Sequence, residues 1–309
     1  MRISDIPIRD PFVVPEGGRY YLFGSTDKDI WKGPGTGFDG YISSPGAGLT
    51  DFEGPFPVFR PPENFWSVTN FWAPEVHPYQ GAWYMFATFK PTHGRRGTAI
   101  LKSASGILGP FVPWSLSAAG VSGPVSPGDW ECLDGTLFIE QGRPYLVFCH
   151  EWQQVGDGEL CAMALSPDLR QAAGKAVVLF RASEAPWVYP LQGRTPDSYV
   201  TDGPFMYRTQ GGNLLMVWSS FGKTGNYCVG VARSADGTLK GPWIQEKKPL
   251  YCADGGHGML FRSLEGILYL AIHTPNQTPF ERAVFVAVQE ALEQGGIVMV
   301  SNPEEEVCI

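Results

Sequence analysis

The chain has few basic residues, and they are never clustered. Lys and Arg number 23 against 31 Asp and Glu, so the net charge is −8, and the longest basic runs are the pairs Arg95-Arg96 and Lys247-Lys248. Binding to nucleic acid requires a basic stripe that contacts the phosphates. No apolar stretch approaches the length of a membrane-spanning helix. We therefore expect neither nucleic acid nor a membrane as a partner.

Cysteine motifs and a leader-like stretch are also missing. The six cysteines are scattered, without the short paired spacing of zinc sites, and most lie inside apolar runs such as Leu146–Cys149. We interpret them as buried free thiols, which are typical of a reducing compartment. The beginning of the chain, Met1–Asp5, has no apolar signal stretch. Both observations predict a cytoplasmic protein.

Helical periodicity is nearly absent, and only Val288–Gln294 is predicted to form a short helical turn. Instead, strand-like runs of four to eight residues alternate with turn residues, among them 38 Gly and 27 Pro. A hydrophobic content of 43% is sufficient for a packed core. The sequence therefore predicts an all-β protein.

The strand-like runs form five units of about 60 residues with four strands each. Three units repeat a turn before their last strand, and the repeats are Gly54-Pro55-Phe56, Gly109-Pro110-Phe111 and Gly241-Pro242-Trp243. The predicted first strands of the units are Pro11–Val14, Glu75–His77, Asp134–Glu140, Gly203–Tyr207 and Gly258–Phe261. A β-sandwich also has many short strands but does not predict a repeated unit. We expect one five-bladed β-propeller over residues 1–309, with four antiparallel strands per blade.

Three acidic residues begin the predicted first strands of the first, third and fourth units at corresponding places. They are Asp10, Asp134 and Asp202. Because the first strand of each blade lines the axis of a propeller, these side chains are expected to converge. Hydrolysis of a glycosidic bond with inversion uses one carboxylate to activate water and one protonated carboxyl to assist the leaving oxygen. A third carboxylate raises the pKa of the acid by repulsion. The pattern therefore indicates a glycosidase.

Five ordered motifs resemble those of glycoside hydrolase family 43 along essentially the whole chain. The motifs are Arg9-Asp10-Pro11, Trp72-Ala73-Pro74-Glu75-Val76, Leu133-Asp134-Gly135-Thr136-Leu137-Phe138, Thr201-Asp202-Gly203-Pro204 and Asp254-Gly255-Gly256-His257-Gly258. The resemblance implies a five-bladed propeller and an inverting enzyme that acts on arabinofuranosides or xylosides. It also implies that Asp10 is the general base, that Asp134 orients and tunes the acid, and that Asp202 is the general acid.

The chain departs from the family pattern at the acid. The family usually has Glu before Gly-Pro, whereas this chain has Asp202, whose side chain is shorter by about 1.5 Å. Either the cavity is reshaped around Asp202, or another acid replaces it. Glu151, at the end of a predicted strand near the axis, is the first alternative, and Glu75 is the second. In this family the residue at Glu75 is usually Asp in a supporting role.

Further residues are expected to bind the sugar or an ion. Aromatic rings stack on sugar faces, so Trp31, Phe71, Trp72 and Trp152 are candidates for substrate binding, together with the polar residues Glu75, His150 and Arg282. The resemblance implies that His257 lies on the axis and binds a metal ion or its water shell. The alternative is a histidine satisfied by backbone carbonyls. No cofactor is required, and an ion here is expected to be a structural Ca²⁺.

Two other groups of residues are expected to have no catalytic role. Trp130-Glu131-Cys132 resembles a motif of the fructan-cleaving family 32, but the preceding nucleophile motif of that family is missing, so Glu131 is interpreted as a bystander. His93, Arg95 and Arg96 are interpreted as a solvated loop.

The combined prediction is an inverting, exo-acting hydrolase that releases a terminal pentofuranose, arabinofuranose above all, or xylose from short oligosaccharides. A β-galactofuranosidase or another glycosidase of the same fold is the alternative. A propeller that binds sugar without cleaving it is the alternative from a different functional class.

Overall fold

The computed structural model describes residues 1–194, 196–291 and 295–300, and these form a five-bladed β-propeller. Each blade is a four-stranded antiparallel sheet whose strands follow one another along the chain, so the predicted fold class is confirmed. No helix in the described part of the chain is long and apolar enough to cross a membrane.

The strands are numbered in chain order, and the first strand of each blade is the inner one. Blade 1 contains β1 (Arg9–Glu16), β2 (Arg19–Ser25), β3 (Phe38–Ser43) and β4 (Phe52–Phe59). Blade 2 contains β5 (Thr69–Tyr79), β6 (Ala82–Lys90), β7 (Gly97–Ser103) and β8 (Phe111–Pro113). Blade 3 contains β9 (Cys132–Glu140), β10 (Arg143–His150), β11 (Glu159–Ala164) and β12 (Val177–Arg181). Blade 4 contains β13 (Asp202–Arg208), β14 (Leu214–Phe221), β15 (Tyr227–Ser234) and β16 (Trp243–Gln245). Blade 5 contains β17 (Gly256–Arg262), β18 (Leu268–Thr274), β19 (Arg282–Ala291) and β20 (Gly296–Met299).

Helical structure is limited to three short segments among the described residues. They are the 3₁₀ turns Ile3–Asp5 and Ala182–Glu184 and the single α-helical turn Trp152–Val155. The helical turn predicted over Val288–Gln294 is wrong where the structure describes it, because Val288 to Ala291 continue β19. Its last three residues lie outside the described residues.

The cysteine prediction is confirmed in part. Cys132, Cys149, Cys161 and Cys228 are buried free thiols within apolar strands. Cys252 is disulfide-bonded, so the prediction of a free thiol is wrong there. Cys308 lies outside the described residues, and the cytoplasmic location stays a prediction.

The hydrophobic core lies between the faces of neighbouring blades. One cluster joins blades 5, 1 and 2, and three further clusters join blades 2 and 3, 3 and 4, and 4 and 5. Its largest side chains include Phe23, Phe38, Phe148 and Trp218, all fully buried. Burial of one such side chain stabilises the fold by roughly 1.5–3 kcal/mol. The alternating apolar residues of the strands thus fix the stacking of the sheets and leave the inner strands around the axis.

Every inner strand has a β-bulge near its beginning, where its pairing with the second strand slips. The strand β5 has two such bulges, and Asn70 (φ 51°) lies at the first of them. Five residues with positive φ lie at corresponding places of the five inner strands, and we call them the bulge residues: Asp10 (55°), Ala73 (46°), Asp134 (55°), Gly203 (50°) and His257 (52°). Asp and Gly tolerate this left-handed conformation better than most residues. Bulges redirect side chains, and here they lie at the ends of the strands that surround the axis.

Hydrogen bonds from the bulge residues connect neighbouring blades. The N–H group of a bulge residue donates to a side chain on the second strand of the preceding blade, and we call these contacts interblade amide bonds. They run from Ala73 to Ser25 Oγ (2.8 Å), from Asp134 to Thr88 Oγ1 (2.8 Å), from His257 to Ser219 Oγ (2.8 Å) and from Asp10 to His273 Nδ1 (3.2 Å). The acceptors are buried. The ring of blades is therefore joined by polar contacts directly beside the axis.

Replacing Thr88 by Val keeps the shape of the side chain and leaves the buried N–H group of Asp134 without its acceptor. We expect the free energy of unfolding to fall by roughly 1–3 kcal/mol, the cost of an unsatisfied buried donor. Urea denaturation measures this change.

Thr136→Val is the matched control, because the hydroxyl of Thr136 is buried and has no hydrogen-bond partner among the described residues. We expect this variant to be as stable as the parent protein or more stable. Equal losses in the two variants would show that the interblade amide bond contributes nothing specific.

Candidate active site

One open cavity of about 730 Å³ lies where the beginnings of the inner strands meet. Four acidic residues line it: Asp10 from blade 1, Asp134 from blade 3, Asp202 from blade 4 and Glu151, which directly follows β10. Binding sites for small molecules usually have volumes of roughly 300–1,000 Å³. The structure therefore brings Asp10, Asp134, Asp202 and Glu151 into one site, whereas the remaining candidate acid, Glu75, does not line the cavity.

Asp10 is surrounded by groups that favour its charged form. Its Oδ2 accepts a hydrogen bond of 2.6 Å from Ser25 Oγ, and its Oδ1 lies 3.2 Å from His257 Nδ1 and 3.5 Å from Arg9 Nε. Burial alone would raise the pKa of Asp10, but His257, Arg9 and the Ser25 hydroxyl outweigh it and hold the pKa below its usual value. Asp10 is therefore a carboxylate at neutral pH.

His273 lies beside Asp10 but is neutral. Its Nδ1 accepts the N–H group of Asp10, and its Nε2 lies 3.3 Å from Asn276 Oδ1. Complete burial, together with the charge of Arg9, lowers the pKa of His273 to about 3. Since the ring is uncharged, the distance of 3.5 Å between His273 Nδ1 and Asp10 Oδ1 is not an ion pair. His273 fixes the backbone of Asp10 and leaves its charge to other neighbours.

Asp134 and Asp202 have the opposite electrostatic environment. Burial and, as the second cause, the charge of Asp10 raise the pKa of Asp134 to about 8. The Gly203 N–H group, which donates to Asp134 Oδ2 at 3.0 Å, opposes this increase. Burial and the charge of Asp134 raise the pKa of Asp202 to about 7, although the Tyr227 hydroxyl donates to Asp202 Oδ2 at 3.0 Å. The cavity thus holds an ionised carboxylate, Asp10, opposite a pair of carboxyls that together retain a proton near neutral pH.

The three aspartates do not occupy corresponding places, which corrects the prediction. Asp10 and Asp134 are bulge residues, whereas Asp202 directly precedes the bulge residue Gly203. Asp202 pairs with Ser219 on the second strand of its blade, and Arg9 pairs with Ser25 in the same way. Asp202 therefore corresponds to Arg9, which is one residue before Asp10. The carboxyl of Asp202 therefore enters the cavity from a different point of its strand than the other two.

Glu151 is held by an arginine that the sequence analysis assigned to a solvated loop. Arg96 is 6% exposed, and its Nη2 donates to Glu151 Oε2 at 2.8 Å. The guanidinium also lies 5.1 Å above the ring of Trp72, within the range of a cation–π contact. Burial raises the pKa of Glu151 to about 7, and the Arg96 charge opposes this shift. The solvated-loop prediction is therefore wrong for Arg96, which lines the cavity.

Glu131 lies outside the cavity lining and binds Arg96 through two hydrogen bonds. Its Oε2 accepts the backbone N–H group of Arg96 at 3.0 Å and the side-chain Nε at 3.2 Å. This geometry gives Glu131 a positioning role for Arg96, with no contact to the cavity.

Three predicted aromatic residues line the cavity: Trp31, Trp72 and Trp152. Trp31 is 50% exposed and donates through Nε1 to Thr278 Oγ1 at 3.0 Å. Its ring meets that of Trp72 edge-on, with centroids 5.3 Å apart, and Trp72 Nε1 donates to the Ile30 carbonyl at 2.6 Å. Because both rings are fixed by hydrogen bonds and partly accessible, they can bind the apolar face of a sugar.

Phe71 does not line the cavity, so the structure does not bring it together with the other aromatic residues predicted to bind substrate. Successive residues of a strand point to opposite faces. Trp72 faces the cavity, and Phe71 consequently packs in the core against Phe89 and Phe59, with ring centroids 4.9 and 6.1 Å away.

Three polar residues predicted to bind substrate also lie outside the cavity lining. Glu75 is buried and paired with His77, with Oε2 2.8 Å from Nε2. His150 stacks on Trp130, and its ring nitrogens contact Glu159 and Gln154. Arg282 donates to backbone carbonyls, among them that of Ser4 at 2.9 Å. Each of these side chains contacts other protein groups, and the structure does not bring Glu75, His150 or Arg282 into the cavity lining.

The cavity also contains polar residues to which the sequence analysis gave no role: Arg9, Asn70, Tyr227, Asn276 and Thr278. Arg9 could have been found, because it directly precedes Asp10 in a recognised motif. Tyr227 begins a third strand, and nothing in its sequence neighbourhood distinguishes it from a core tyrosine. Asn276 and Thr278 follow β18 in a loop whose path the sequence does not define.

His257 lines the cavity with its Nδ1 directed at Asp10. The described residues contain no group of three or more His, Cys, Asp or Glu side chains able to hold a metal ion. Calcium requires six to eight oxygen ligands, and the side chains here do not fit direct coordination. An axial ion held through water stays a prediction, which elemental analysis of protein purified without chelator checks.

A family model, "Glycosyl hydrolases family 43", matches residues 3–290 of the chain. Among curated relatives, α-L-arabinofuranosidase 43 of Humicola insolens is 23% identical over 216 residues. The match covers 65% of this chain and 42% of the relative, so the chain spans less than half the length of that protein.

Solved structures with similar architecture cover nearly the whole chain. The endo-arabinase from Bacteroides thetaiotaomicron is 39% identical, with a TM-score of 0.82 over 92% of this chain and 95% of that one. A thermostable family-43 glycoside hydrolase is 24% identical, with a TM-score of 0.76 over 96% and 93% of the two chains, and this likeness shows the fold alone.

Proposed function

We propose, because this chain belongs to glycosyl hydrolase family 43, that it releases a terminal pentofuranose from short oligosaccharides with inversion of configuration. Its substrate is a carbohydrate, as the family requires, and arabinofuranose is the sugar we propose. The names of the Humicola and Bacteroides relatives both refer to arabinose, which supports this choice.

The observation that carries the proposal is the contrast in charge across one cavity. Asp10 is ionised, whereas Asp134 and Asp202 have raised pKa values and share the same space. Inverting hydrolysis requires this combination of an ionised base and a protonated acid. Two carboxyls with pKa values driven apart by their surroundings are a general mark of acid–base catalysis.

In the proposed reaction Asp10 takes a proton from a water molecule whose oxygen attacks the anomeric carbon. The bond from this carbon to the leaving oxygen breaks, and the proton of Asp202 passes to that oxygen. Asp134 remains beside Asp202, and because ionisation of both carboxyls would place two like charges side by side, the pair retains the proton until it is transferred. Each turnover leaves Asp10 protonated and Asp202 ionised, and exchange with solvent restores both.

Asp202 is preferred to Glu151 as the acid because of their partners. Glu151 contacts the permanently charged Arg96, which stabilises its carboxylate form. Asp202 lies next to Asp134, and the repulsion between two neighbouring carboxylates favours a state in which one of them keeps its proton. The Tyr227 hydroxyl fixes one oxygen of Asp202 and leaves the other for the substrate.

The test is product analysis on linear arabino-oligosaccharides and on polymeric arabinan, with NMR of the first anomer formed. We expect free arabinose with inverted configuration, released faster from the short chains. Longer products from the polymer would indicate internal cleavage, and the retained anomer would overturn the inverting mechanism.

A panel of aryl arabinofuranosides, xylopyranosides and galactofuranosides addresses the alternatives. Preference for a xyloside or a galactofuranoside would change the proposed sugar. Binding measured by calorimetry with no turnover on any member would favour a propeller that binds sugar without cleaving it.

The pH dependence of kcat/KM is predicted by the shifts of two pKa values. Activity requires Asp10 ionised and Asp202 protonated. The pKa of Asp10 lies below its usual value and that of Asp202 is raised to about 7. We expect a plateau through the mildly acidic range and a tenfold loss per pH unit above the upper pKa. A rate that increases through pH 8 would contradict Asp202 as the acid.

A further inference from the structure

The interblade amide bonds are interrupted between blades 3 and 4. At this junction Cys149 occupies the place of the acceptor. Cys149 pairs with Leu133 on the inner strand of its blade. The acceptors Ser25 and Ser219 pair in the same way with Arg9 and Asp202. The bulge residue of blade 4, Gly203, donates its N–H group to Asp134 Oδ2 at 3.0 Å instead. Among the described bulge residues, Gly203 is the one whose amide binds a carboxylate.

The difference follows from the chemistry of the acceptor. A thiol sulfur is a weak acceptor, whereas a serine or threonine oxygen accepts strongly. Cys149 is completely buried and lies near both Asp134 and Asp202. A buried N–H group must find a partner, and a carboxylate gives the stronger, charge-assisted bond.

We propose that Cys149 is a positioning residue, which acts by leaving the Gly203 amide free to bind Asp134. The inference rests on the proposed function, in which Asp134 tunes the acid Asp202. Asp134 is then fixed at two points: Thr88 from blade 2 accepts its N–H group, and Gly203 from blade 4 binds its carboxylate.

The second contact matters because Asp134 and Asp202 compete for a proton, and Asp202 acts as the acid only while Asp134 carries the negative charge of the pair. The Gly203 N–H group stabilises that charge and opposes the increase in pKa that burial and Asp10 produce. Without it, Asp134 would hold its proton to a higher pH. Asp202 would then lose the repulsion that keeps it protonated.

The experiment compares Cys149→Ser with Cys149→Ala. Serine restores the acceptor found at the equivalent places of other blades, whereas alanine removes the thiol without offering one. We expect the Gly203 amide to turn to the new hydroxyl in Cys149→Ser. The pH at which kcat/KM on an arabino-oligosaccharide begins to fall should then be lower by roughly one unit. Above that pH, kcat/KM should be about tenfold lower than in the parent protein. In Cys149→Ala the limb should stay in place.

A second readout does not depend on activity. The amide proton resonance of Gly203 should follow the ionisation of Asp134 in the parent protein and in Cys149→Ala, and should lose this dependence in Cys149→Ser. Thermal unfolding of both variants verifies that they fold.

The outcomes separate the inference from the proposed function. If the parent protein releases no sugar, the proposed function fails, and the resonance alone decides the position of the amide. If the parent protein is active but the two variants share one pH profile and one Gly203 response, the role of Cys149 is overturned.

Discussion

Replacing Asp10 by Asn is expected to lower kcat by roughly 10²- to 10⁴-fold, the usual contribution of a general base. Asn has the shape of Asp but cannot take a proton from water. Because the base acts on the attacking water, the loss should be similar for an arabino-oligosaccharide and for an aryl glycoside with a good leaving group. Steady-state kinetics with both substrates measures this effect.

Asp236→Asn is the matched control, since Asp236 lies in an exposed turn of blade 4 and does not line the cavity. It should keep the activity of the parent protein. If Asp10→Asn retained more than a tenth of the activity on both substrates, another group would have to activate the water.

Replacing Asp202 by Ala is expected to produce a loss that depends on the leaving group. On an arabino-oligosaccharide, kcat/KM should fall by roughly 10²- to 10⁴-fold, because the departing hydroxyl needs a proton. On an aryl glycoside whose phenolate departs unaided, the loss should be small. The ratio of the two rates is the quantity to measure, and the alkaline limb of the pH profile should disappear in this variant.

Glu151→Gln separates the two candidate acids. The amide keeps the size of the side chain and an oxygen that can accept from Arg96. If Asp202 is the acid, Glu151→Gln should change the two substrates equally. A leaving-group dependence in Glu151→Gln that is missing in Asp202→Ala would assign the acid to Glu151.

The fold could be predicted because its signals are local and repeated. Turn residues delimit the strands, and the Gly-Pro repeats, within β4 and directly before β8 and β16, mark the outer strand of three blades. Strand alternation and turn chemistry are properties of neighbouring residues, which a single sequence contains. The five-bladed propeller can therefore be predicted from the sequence alone.

The residues of the site could be predicted only where they belong to recognised sequence motifs. Asp10, Asp134 and Asp202 share one cavity, but the one-residue offset of Asp202 depends on where each bulge lies. Likewise, Arg96 is drawn into the cavity by Glu131 and Glu151, which are 35 and 55 residues away in sequence.

The residues predicted at the site that do not line the cavity have the same explanation. His150 and Glu75 have polar side chains suited to a binding site, but their partners in the structure are Glu159 and His77. Such pairings between side chains are set by tertiary structure and leave no periodic trace in the sequence.

The ring of blades closes without a shared strand, since every sheet of the described chain is built from one continuous stretch. Blades 1 and 5 are joined by other hydrogen bonds: the Ile8 N–H group donates to the Glu281 carbonyl at 3.4 Å, and Arg9 Nη1 donates to Glu281 Oε1 at 3.0 Å. The proposed base, Asp10, is the next residue. Heating that breaks these contacts would displace Asp10 while the sheets remain intact. We therefore expect thermal inactivation at a lower temperature than the loss of the far-ultraviolet circular dichroism signal.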